Sequence, residues 1–393
     1  MKVRVEDFGA IVAIDQPAML LHVDKAFARA LGVADEARWS QPLGHLSAPT
    51  EVHVLLTGRC HAGCPRCYVD ATPDGAERPV TEVKRWLTRL AELGVFHVAL
   101  GGGESLLRDD LFEIAEHARR VGLVPNLTTS GIGMSDEVAR RCRVFGQVNV
   151  SLDGLGASYA SSRGYDGSAR ALKALEQLVG AGVPAGVNYV LSRSTIDSVE
   201  ETLAAVGARQ GNEVEFLRLK PTGRAAATYL AERLTEGEGR SLLPRLLAAS
   251  AAVPGVKLKV DCSLVPMLCA TDPSPAALRA LGVTGCEAGN VLAAVAPDGS
   301  ATACSFIPEA IGSVDTLVDG WRSSAALGRW RSWTRGAPEP CASCAYRDTC
   351  RGGCKAVSRF FYDGDPWHPD PECPRVLAHR RGEPFEPTRV VTP

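Results

Sequence analysis

Cys60, Cys64 and Cys67 stand close together in Thr57-Gly58-Arg59-Cys60-His61-Ala62-Gly63-Cys64-Pro65-Arg66-Cys67. The spacing C-x3-C-x2-C follows an apolar, β-branched run at 52–56, which places it on a loop beyond the C-terminal end of a strand. Thiolates are ligands for soft metals. Zinc usually takes four ligands in pairs, and a ferredoxin run brings a fourth cysteine close behind. No fourth follows here. Three thiolates on a cubic 4Fe–4S cluster leave one iron without a protein ligand, and an open metal position is where a substrate or cofactor binds. Structural zinc and chance spacing are the competing readings. Seven more cysteines follow in the last third of the chain: Cys286, Cys304, Cys341, Cys344, Cys350, Cys354 and Cys373. They are spaced C-x12-G-x4-C, gap, C-x2-C-x5-C-x3-C, gap, C, and the central part also fits a zinc knuckle. Of the remaining three, Cys142 lies in a helical stretch and reads as a small buried hydrophobe. Cys262 and Cys269 lie close enough to the second cluster to be ligand candidates.

The elements that must position these residues form a rhythm. Strands are expected at 52–56, 96–100, 125–129, 148–152, 186–191 and 214–219, with helices at 80–93, 109–121, 136–142, 168–181 and 196–210. Strands separated by helices indicate a βαβ series with a parallel sheet, either an open doubly wound layer or a curved partial barrel. In both, functional loops follow the C-terminal ends of the strands. Residues 1–48 carry β-like segments at 11–14 and 19–23 and a helix at 25–31, and read as an extension packed on the main domain. Residues 229–280 are Ala- and Leu-rich and mostly helical, with a solvated turn expected at 235–240. A boundary falls near 270–285, where short strands, Gly and Pro take over. The tail after Cys373 is basic and Pro-rich and reads as a surface strap.

Composition restricts the function classes. The 393 residues are 45% hydrophobic and 22% charged, which suits a globular chain of two or three domains and excludes a disordered chain, a collagen or a membrane bundle. Lys+Arg 43 against Asp+Glu 45 gives a net charge of −2, so an electrostatic grip on nucleic acid or an anionic membrane is not expected. Acidic residues arrive early and Asp15 interrupts the first apolar run, so no secretory signal is expected, and no stretch reaches about 18 apolar residues. A cytoplasmic location follows as the expectation. Thiols stay reduced there, and the odd total of 13 cysteines suits a complete disulfide framework poorly.

The triplet resembles the signature of the radical S-adenosylmethionine (SAM) enzymes, and the βα series over 51–225 resembles their partial (β/α)6 barrel. The resemblance implies that SAM chelates the open iron through its amino and carboxylate groups. An electron into the sulfonium then cleaves a C–S bond and gives a 5′-deoxyadenosyl radical. In that family the residue before the last cysteine is usually aromatic and touches the adenine; here it is Arg66, with Tyr68 just beyond. Gly101, Gly102, Gly103 and Glu104 resemble the Gly-Gly-Glu motif that receives the methionyl amino group, although Ser105 stands where proline is usual. Thr129 and Ser130 after the third strand, and Ser151 and Asp153 after the fourth, lie where the family binds the methionyl carboxylate and ribose. Plain turn capping is the alternative. By the same resemblance Arg163 pairs with the carboxylate, Asn188 is a ribose candidate and Leu219 lies near the adenine. Lys220 beside it reads equally as solvated.

Residues 286–373 resemble the SPASM extension of radical enzymes, which holds two auxiliary 4Fe–4S clusters. Carried over by position, Cys341, Cys344, Cys350 and Cys373 close one cluster, and Cys286, Cys304 and Cys354 hold the other with three thiolates. Some members add a cysteine six positions after the first, where this chain has Leu292. The fourth ligand is therefore open between Cys262, Cys269, a peptide group and none. The expected organisation is α/β: an N-terminal extension (1–48), a radical SAM partial barrel (49–225), a helical connector (226–285), a SPASM iron–sulfur domain (286–373) and a tail (374–393). Three 4Fe–4S clusters and SAM are the implied cofactors. Additional iron–sulfur centres suggest electron traffic that leaves the product oxidised; an open auxiliary iron that ligates substrate is the other use. The stretches 101–104, 218–224, 350–354 and 370–373 resemble the SPASM peptide maturases, those of the mycofactocin type among them. The resemblance implies oxidative decarboxylation or cross-linking of a small ribosomal precursor peptide and an external electron donor of flavodoxin or ferredoxin type. A full winged leader-recognition domain does not fit in 48 residues, which points to a separate recognition protein. Oxidation of a small molecule such as a haem precursor or an alcohol, sulfatase-type Cys/Ser maturation, and a non-catalytic iron–sulfur carrier or zinc module remain as alternatives. No acid or base residue stands out.

Overall fold

A computed structural model describes residues 2–15 and 18–388 of the chain. The βα rhythm is present throughout its centre. β4 (Glu51–Thr57), β5 (His97–Gly102), β6 (Val124–Thr129), β7 (Val148–Ser151), β8 (Ala185–Leu191) and β9 (Glu213–Arg218) lie side by side in chain order, all parallel. Each matches an expected strand with small shifts at its ends. The helices cover the sheet for the reason their sequence suggests. In Val80–Leu93, Val83, Trp86, Leu87 and Leu90 fall on one stripe and are all buried, and Gly94 ends the helix at φ +107°. The last expected helix divides into a 3-10 turn, Ile196–Ser198, and a helix, Val199–Gly207.

The sheet extends at both ends. β10 (Lys257–Val260) adds in parallel to β9, so the connector contributes a strand as well as helices. At the other end β11 (Leu292–Val295) pairs in parallel with β4, followed by antiparallel β12 (Ser300–Thr302) and β13 (Ala310–Ser313). One apolar core therefore runs from Val52 on β4 to Trp321 and Leu327, and the cysteine-rich segment shares it.

The 235–240 segment is not a turn. Thr235 caps a helix, Glu236–Ala252, accepting from the Glu238 N–H at 3.2 Å while the Glu238 carboxylate accepts from the Thr235 N–H at 2.6 Å. Polar residues that start a helix and polar residues that make a turn are the same types, and only the reciprocal bonds tell them apart. In the tail, Pro374–Arg381 is a helix; residues 389–393 lie outside the described residues. Among the described residues no helix is long and apolar enough to cross a membrane.

The N-terminal extension is a separate antiparallel sheet of β1 (Lys2–Glu6), β2 (Gly9–Asp15) and β3 (Ala18–Asp24), followed by a helix, Lys25–Ala30, capped by Asp24. It is attached to the segments that precede β4 and β5. Arg4 carries the attachment: it donates to Glu6 at 2.7 Å, to Pro49 O at 2.8 Å and to Gly94 O at 2.9 Å, and lies 4.8 Å from the Phe96 ring. Glu6 also accepts from the Ser47 N–H at 2.8 Å. Both charges are buried, so removing one leaves the other uncompensated, at a cost of about 3–5 kcal/mol. Glu6→Ala is expected to raise amide hydrogen exchange across β1 to β3 while protection in β4 to β9 stays as in the wild type. Equal protection of the small sheet in both proteins would show that this pair does not hold it in place.

Candidate functional site

The cysteine loop leaves β4 at Thr57, and backbone bonds fix its path. Gly58 N donates to Ala76 O at 2.7 Å, Cys60 N to Thr72 O at 2.8 Å, and Thr57 Oγ1 to Glu77 at 2.7 Å. The N–H groups of Ala62 and Ala71 point at the sulfurs of Cys60 and Cys67, each at 3.4 Å. Such donors favour the thiolate. Burial pushes the Cys60 thiol up, the Ala62 N–H lowers it, and Glu104, Cys64 and Cys67 raise it again. Arg224 clamps the loop from the far side, donating to Cys64 O at 2.9 Å, Ala71 O at 2.9 Å and Asp70 at 2.7 Å. Nothing in the sequence marks Arg224 for this role, since its partners lie some 150 residues away.

β5 meets the same loop through its glycines. Gly103 N donates to Thr57 O at 2.7 Å and Glu104 N to Arg59 O at 2.9 Å. A Cβ on Gly103 would stand 2.1 Å from Arg59 O, and Gly102 holds φ +127°. Only glycine permits this approach. Glu104 is 1% exposed and gathers two of the other expected residues: it accepts from Thr129 Oγ1 at 2.8 Å and from the Ser130 N–H at 2.8 Å. Asp153, equally buried, accepts from Arg163 Nε at 2.7 Å, Ser162 Oγ at 2.8 Å and Val190 N at 2.9 Å. Burial opposes the Arg163 charge, but Asp153 and the Cys64 thiol raise it above its ordinary value, which places this guanidinium beside the triplet.

Other expected contacts lie differently. Ser151 pairs in register with Asn188, whose side chain is engaged by Asn149 at 2.7 Å. Arg66 reaches the end of β8, donating to Ser194 at 2.9 Å and pairing with Glu232 at 2.7 Å. Tyr68 packs on Phe306 with ring centroids 4.8 Å apart, and its hydroxyl is pushed up to about 12 by burial and by Cys67. Leu219 joins an apolar group with Ile307, Cys354 and Val357. Both thus face the C-terminal cysteines. Lys220 is buried rather than solvated; it pairs with Asp261 and lies 4.3 Å from the Phe306 ring.

The resemblance to the SPASM extension divides the C-terminal thiols into two groups. Cys341, Cys344, Cys350 and Cys373 line one small cavity, together with Cys269 and Asp370. Burial and the neighbouring thiols push Cys341 up to about 12 and Cys373 to about 11. In the second group burial, Cys286 and Cys354 push Cys304 up to about 12. Among the described residues no three His, Cys, Asp or Glu side chains converge as one metal ion requires. Two features escaped the sequence reading. Arg218, at the end of β9, is bound at 2.6 Å by Asp370 and at 2.6 Å by Glu372, and Asp370 also accepts from the Cys354 N–H at 2.9 Å. Lys355 is 4% exposed, its Nζ lies 3.7 Å from the Trp333 ring, and among the described residues it has no hydrogen-bond partner. Burial pushes its charge down, and Cys286, Cys350 and Cys341 oppose that shift.

A sequence profile described as the Radical SAM superfamily matches residues 54–206. The mycofactocin maturase MftC of Mycolicibacterium smegmatis is 31% identical over 341 residues, which is 84% of this chain and 83% of that protein. The chain belongs to the radical SAM superfamily. The PqqA peptide cyclase of Rhodopseudomonas palustris is 29% identical over 85% of this chain and 89% of the cyclase. Among solved structures, SuiB of Streptococcus suis bound to precursor peptide SuiA matches with a TM-score of 0.76 at 16% identity, over 94% of this chain and 98% of SuiB. The anSMEcpe structure with bound AdoMet and a peptide matches at 0.63 and 16%, over 85% of this chain and 97% of that one. At such identities the two structures establish the shared fold.

Membership in the superfamily makes this radical SAM protein an enzyme and implies a 4Fe–4S cluster and SAM. The residues present fit both groups. Three half-buried thiols, two of them with N–H donors aimed at sulfur, suit a cluster with one open iron. The glycine approach at β5 and the buried Glu104 suit a positively charged amino group nearby. Hydrogen bonds to charged groups are worth about 1.5–3 kcal/mol. Glu104→Gln is therefore expected to weaken SAM binding roughly 10- to 100-fold in equilibrium dialysis of the reconstituted protein. Unchanged affinity would remove Glu104 from the cofactor site.

Proposed function

We propose that this enzyme oxidatively modifies a ribosomally made precursor peptide, by decarboxylation or by forming a cross-link. The bound cluster and SAM supply reductive C–S cleavage and a carbon radical able to abstract hydrogen. Glu104, Thr129, Ser130, Asp153 and Arg163 orient SAM against the triplet of Cys60, Cys64 and Cys67. Gly102 and Gly103 let the backbone approach it. Ser151 and Asn188 lie beyond, towards the ribose. Tyr68 and Leu219 stand at the border with the C-terminal thiols, Arg66 reaches the end of β8, and all three remain candidates for the adenine contact.

The contact between Tyr68 and Phe306 carries the oxidative part of the reading. Tyr68 follows Cys67 directly and Phe306 lies two residues beyond Cys304, so the rings bridge the radical loop and the nearer auxiliary thiols. Lys220, over the same Phe306 ring, adds a fixed positive charge at that bridge. We assign Cys286, Cys304 and Cys354 to one auxiliary 4Fe–4S cluster and Cys341, Cys344, Cys350 and Cys373 to the other. Short gaps between such centres suit passage of the electron that an oxidised product must give up. The buried Lys355 ammonium, without a hydrogen-bond partner among the described residues, suits an anionic cluster held by the neighbouring Cys354. Relatives named as a peptide maturase and a peptide cyclase support the substrate class.

The peptide is the proposed partner, presented alone or by a separate recognition protein. β3 is a free edge of the small sheet, with Met19 and Leu21 exposed on one face, and suits strand addition by an extended segment. A flavodoxin- or ferredoxin-type donor in the cytoplasm would supply the first electron.

Co-expression with a short peptide encoded beside the gene, followed by mass spectrometry, tests the proposal. A defined mass loss in that peptide is expected. Formation of 5′-deoxyadenosine with the peptide left unaltered would count against it. In the same assay Phe306→Leu is expected to keep SAM cleavage near the wild-type rate while the yield of modified peptide per SAM consumed falls several-fold. Equal yields would detach the Tyr68–Phe306 bridge from product oxidation.

A further inference from the structure

Two cysteines of the connector, Cys262 and Cys269, have no place in the SPASM spacing, and Leu292 stands where a fourth ligand would be sought. The structure sends the two spare thiols to different places. Cys269 is 2% exposed and lines the cavity of Cys341, Cys344, Cys350 and Cys373. That group already has four thiols. Cys262 does not line that cavity, and the other group has three thiols.

Its position is fixed on both sides by buried cations. Val260, at the end of β10, pairs in register with Phe216 on β9, and the Asp261 N–H donates to Phe216 O at 2.9 Å. The Asp261 carboxylate then caps the 3-10 turn Cys262–Leu264, accepting from the Ser263 N–H at 2.8 Å. Before Cys262, Asp261 pairs with Lys220, whose ammonium lies 4.3 Å from Phe306, two residues beyond Cys304. After Cys262, Ser263 O accepts from Arg218 Nη1 at 3.0 Å. The same nitrogen is bound at 2.6 Å by Asp370 Oδ2, and that oxygen accepts from the Cys354 N–H at 2.9 Å. Cys262 is thus tied through Lys220 towards Cys304 and through Arg218 towards Cys354.

We propose that Cys262 is the fourth protein ligand of the auxiliary cluster held by Cys286, Cys304 and Cys354. The inference rests on the reading that these three cysteines hold a cluster. The thiol gives up its proton and binds iron as thiolate, with no change in electron count. Every iron of that cluster then has a protein sulfur, so it passes electrons and does not chelate the peptide. Selection of the reacting peptide position falls to side chains rather than to a metal bond.

The test uses anaerobically reconstituted full-length protein, with iron and sulfide analysis and electron paramagnetic resonance of the dithionite-reduced state. Cys286→Ala is expected to remove one spectral component and about four irons per chain. Cys262→Ala is expected to shift or abolish that same component and leave the other two as in the wild type. Cys262→Ser, which offers oxygen in place of sulfur, should retain the iron while displacing the component's g-values and midpoint potential. It also decides the matter if the alanine variant fails to fold. If Cys286→Ala changes the spectrum while both Cys262 variants match the wild type, Cys262 is not a ligand and the auxiliary cluster stands. If Cys286→Ala itself matches the wild type, the underlying assignment fails. A wild-type component that changes on adding the co-expressed peptide, as direct chelation would cause, would also overturn the inference.

Discussion

The buried guanidinium of Arg218 is the joint on which the two halves of the molecule depend. It sits at the end of β9 with its side chain 2% exposed, and its charge can remain there only because Asp370 and Glu372 meet it. Burial alone would depress that charge; the two carboxylates more than offset it. The acids are not spare. Asp370 also accepts from the N–H groups of Cys354 and Glu372, and Glu372 accepts from Tyr229 at 2.9 Å and Arg233 at 3.0 Å. Both precede Cys373 closely in sequence. One cation from the barrel thereby fixes the backbone near two of the C-terminal cysteines, Cys354 and Cys373.

The thiols themselves set a second constraint. In the C-terminal part burial and neighbouring thiols push Cys304, Cys341 and Cys373 up. Such thiols stay protonated unless a positive centre holds them, so any metal that binds there must displace protons and compensate what burial costs. The protein prepares for this with oriented N–H groups at Cys60 and Cys67 and with the cations Lys220, Arg218 and Lys355 around the others. This distribution explains why a chain of almost neutral net charge concentrates buried positive side chains beside its sulfur.

Much of this was legible from residue order. The six central strands follow from β-branched runs bounded by turn residues, and the helix Val80–Leu93 follows from the stripe of Val83, Trp86, Leu87 and Leu90. The convergence of Glu104 with Thr129 and Ser130 follows from their places at the ends of adjacent strands. What escaped was long-range or ambiguous in kind. Arg218 and Asp370 are 152 residues apart, and no local pattern pairs them. Thr235 through Glu238 use the same polar types whether they start a helix or make a turn. Tyr68 and Leu219 could be placed on their loops by sequence, but the direction in which they point depends on Phe306 and Cys354, which arrive much later in the chain.

The pairing of β11 with β4 has a consequence for how the enzyme is made. Thr50 bonds Val291 across 241 residues, so the strand that carries the radical-forming loop keeps a bare edge until the last third of the chain has been synthesised. Contacts of such sequence separation close late and slowly. During that interval the nascent protein exposes both an unpaired strand and reactive sulfur. Assembly of the cofactor would then follow completion of translation, with a chaperone or iron–sulfur donor engaging a nearly finished polypeptide rather than an isolated N-terminal half.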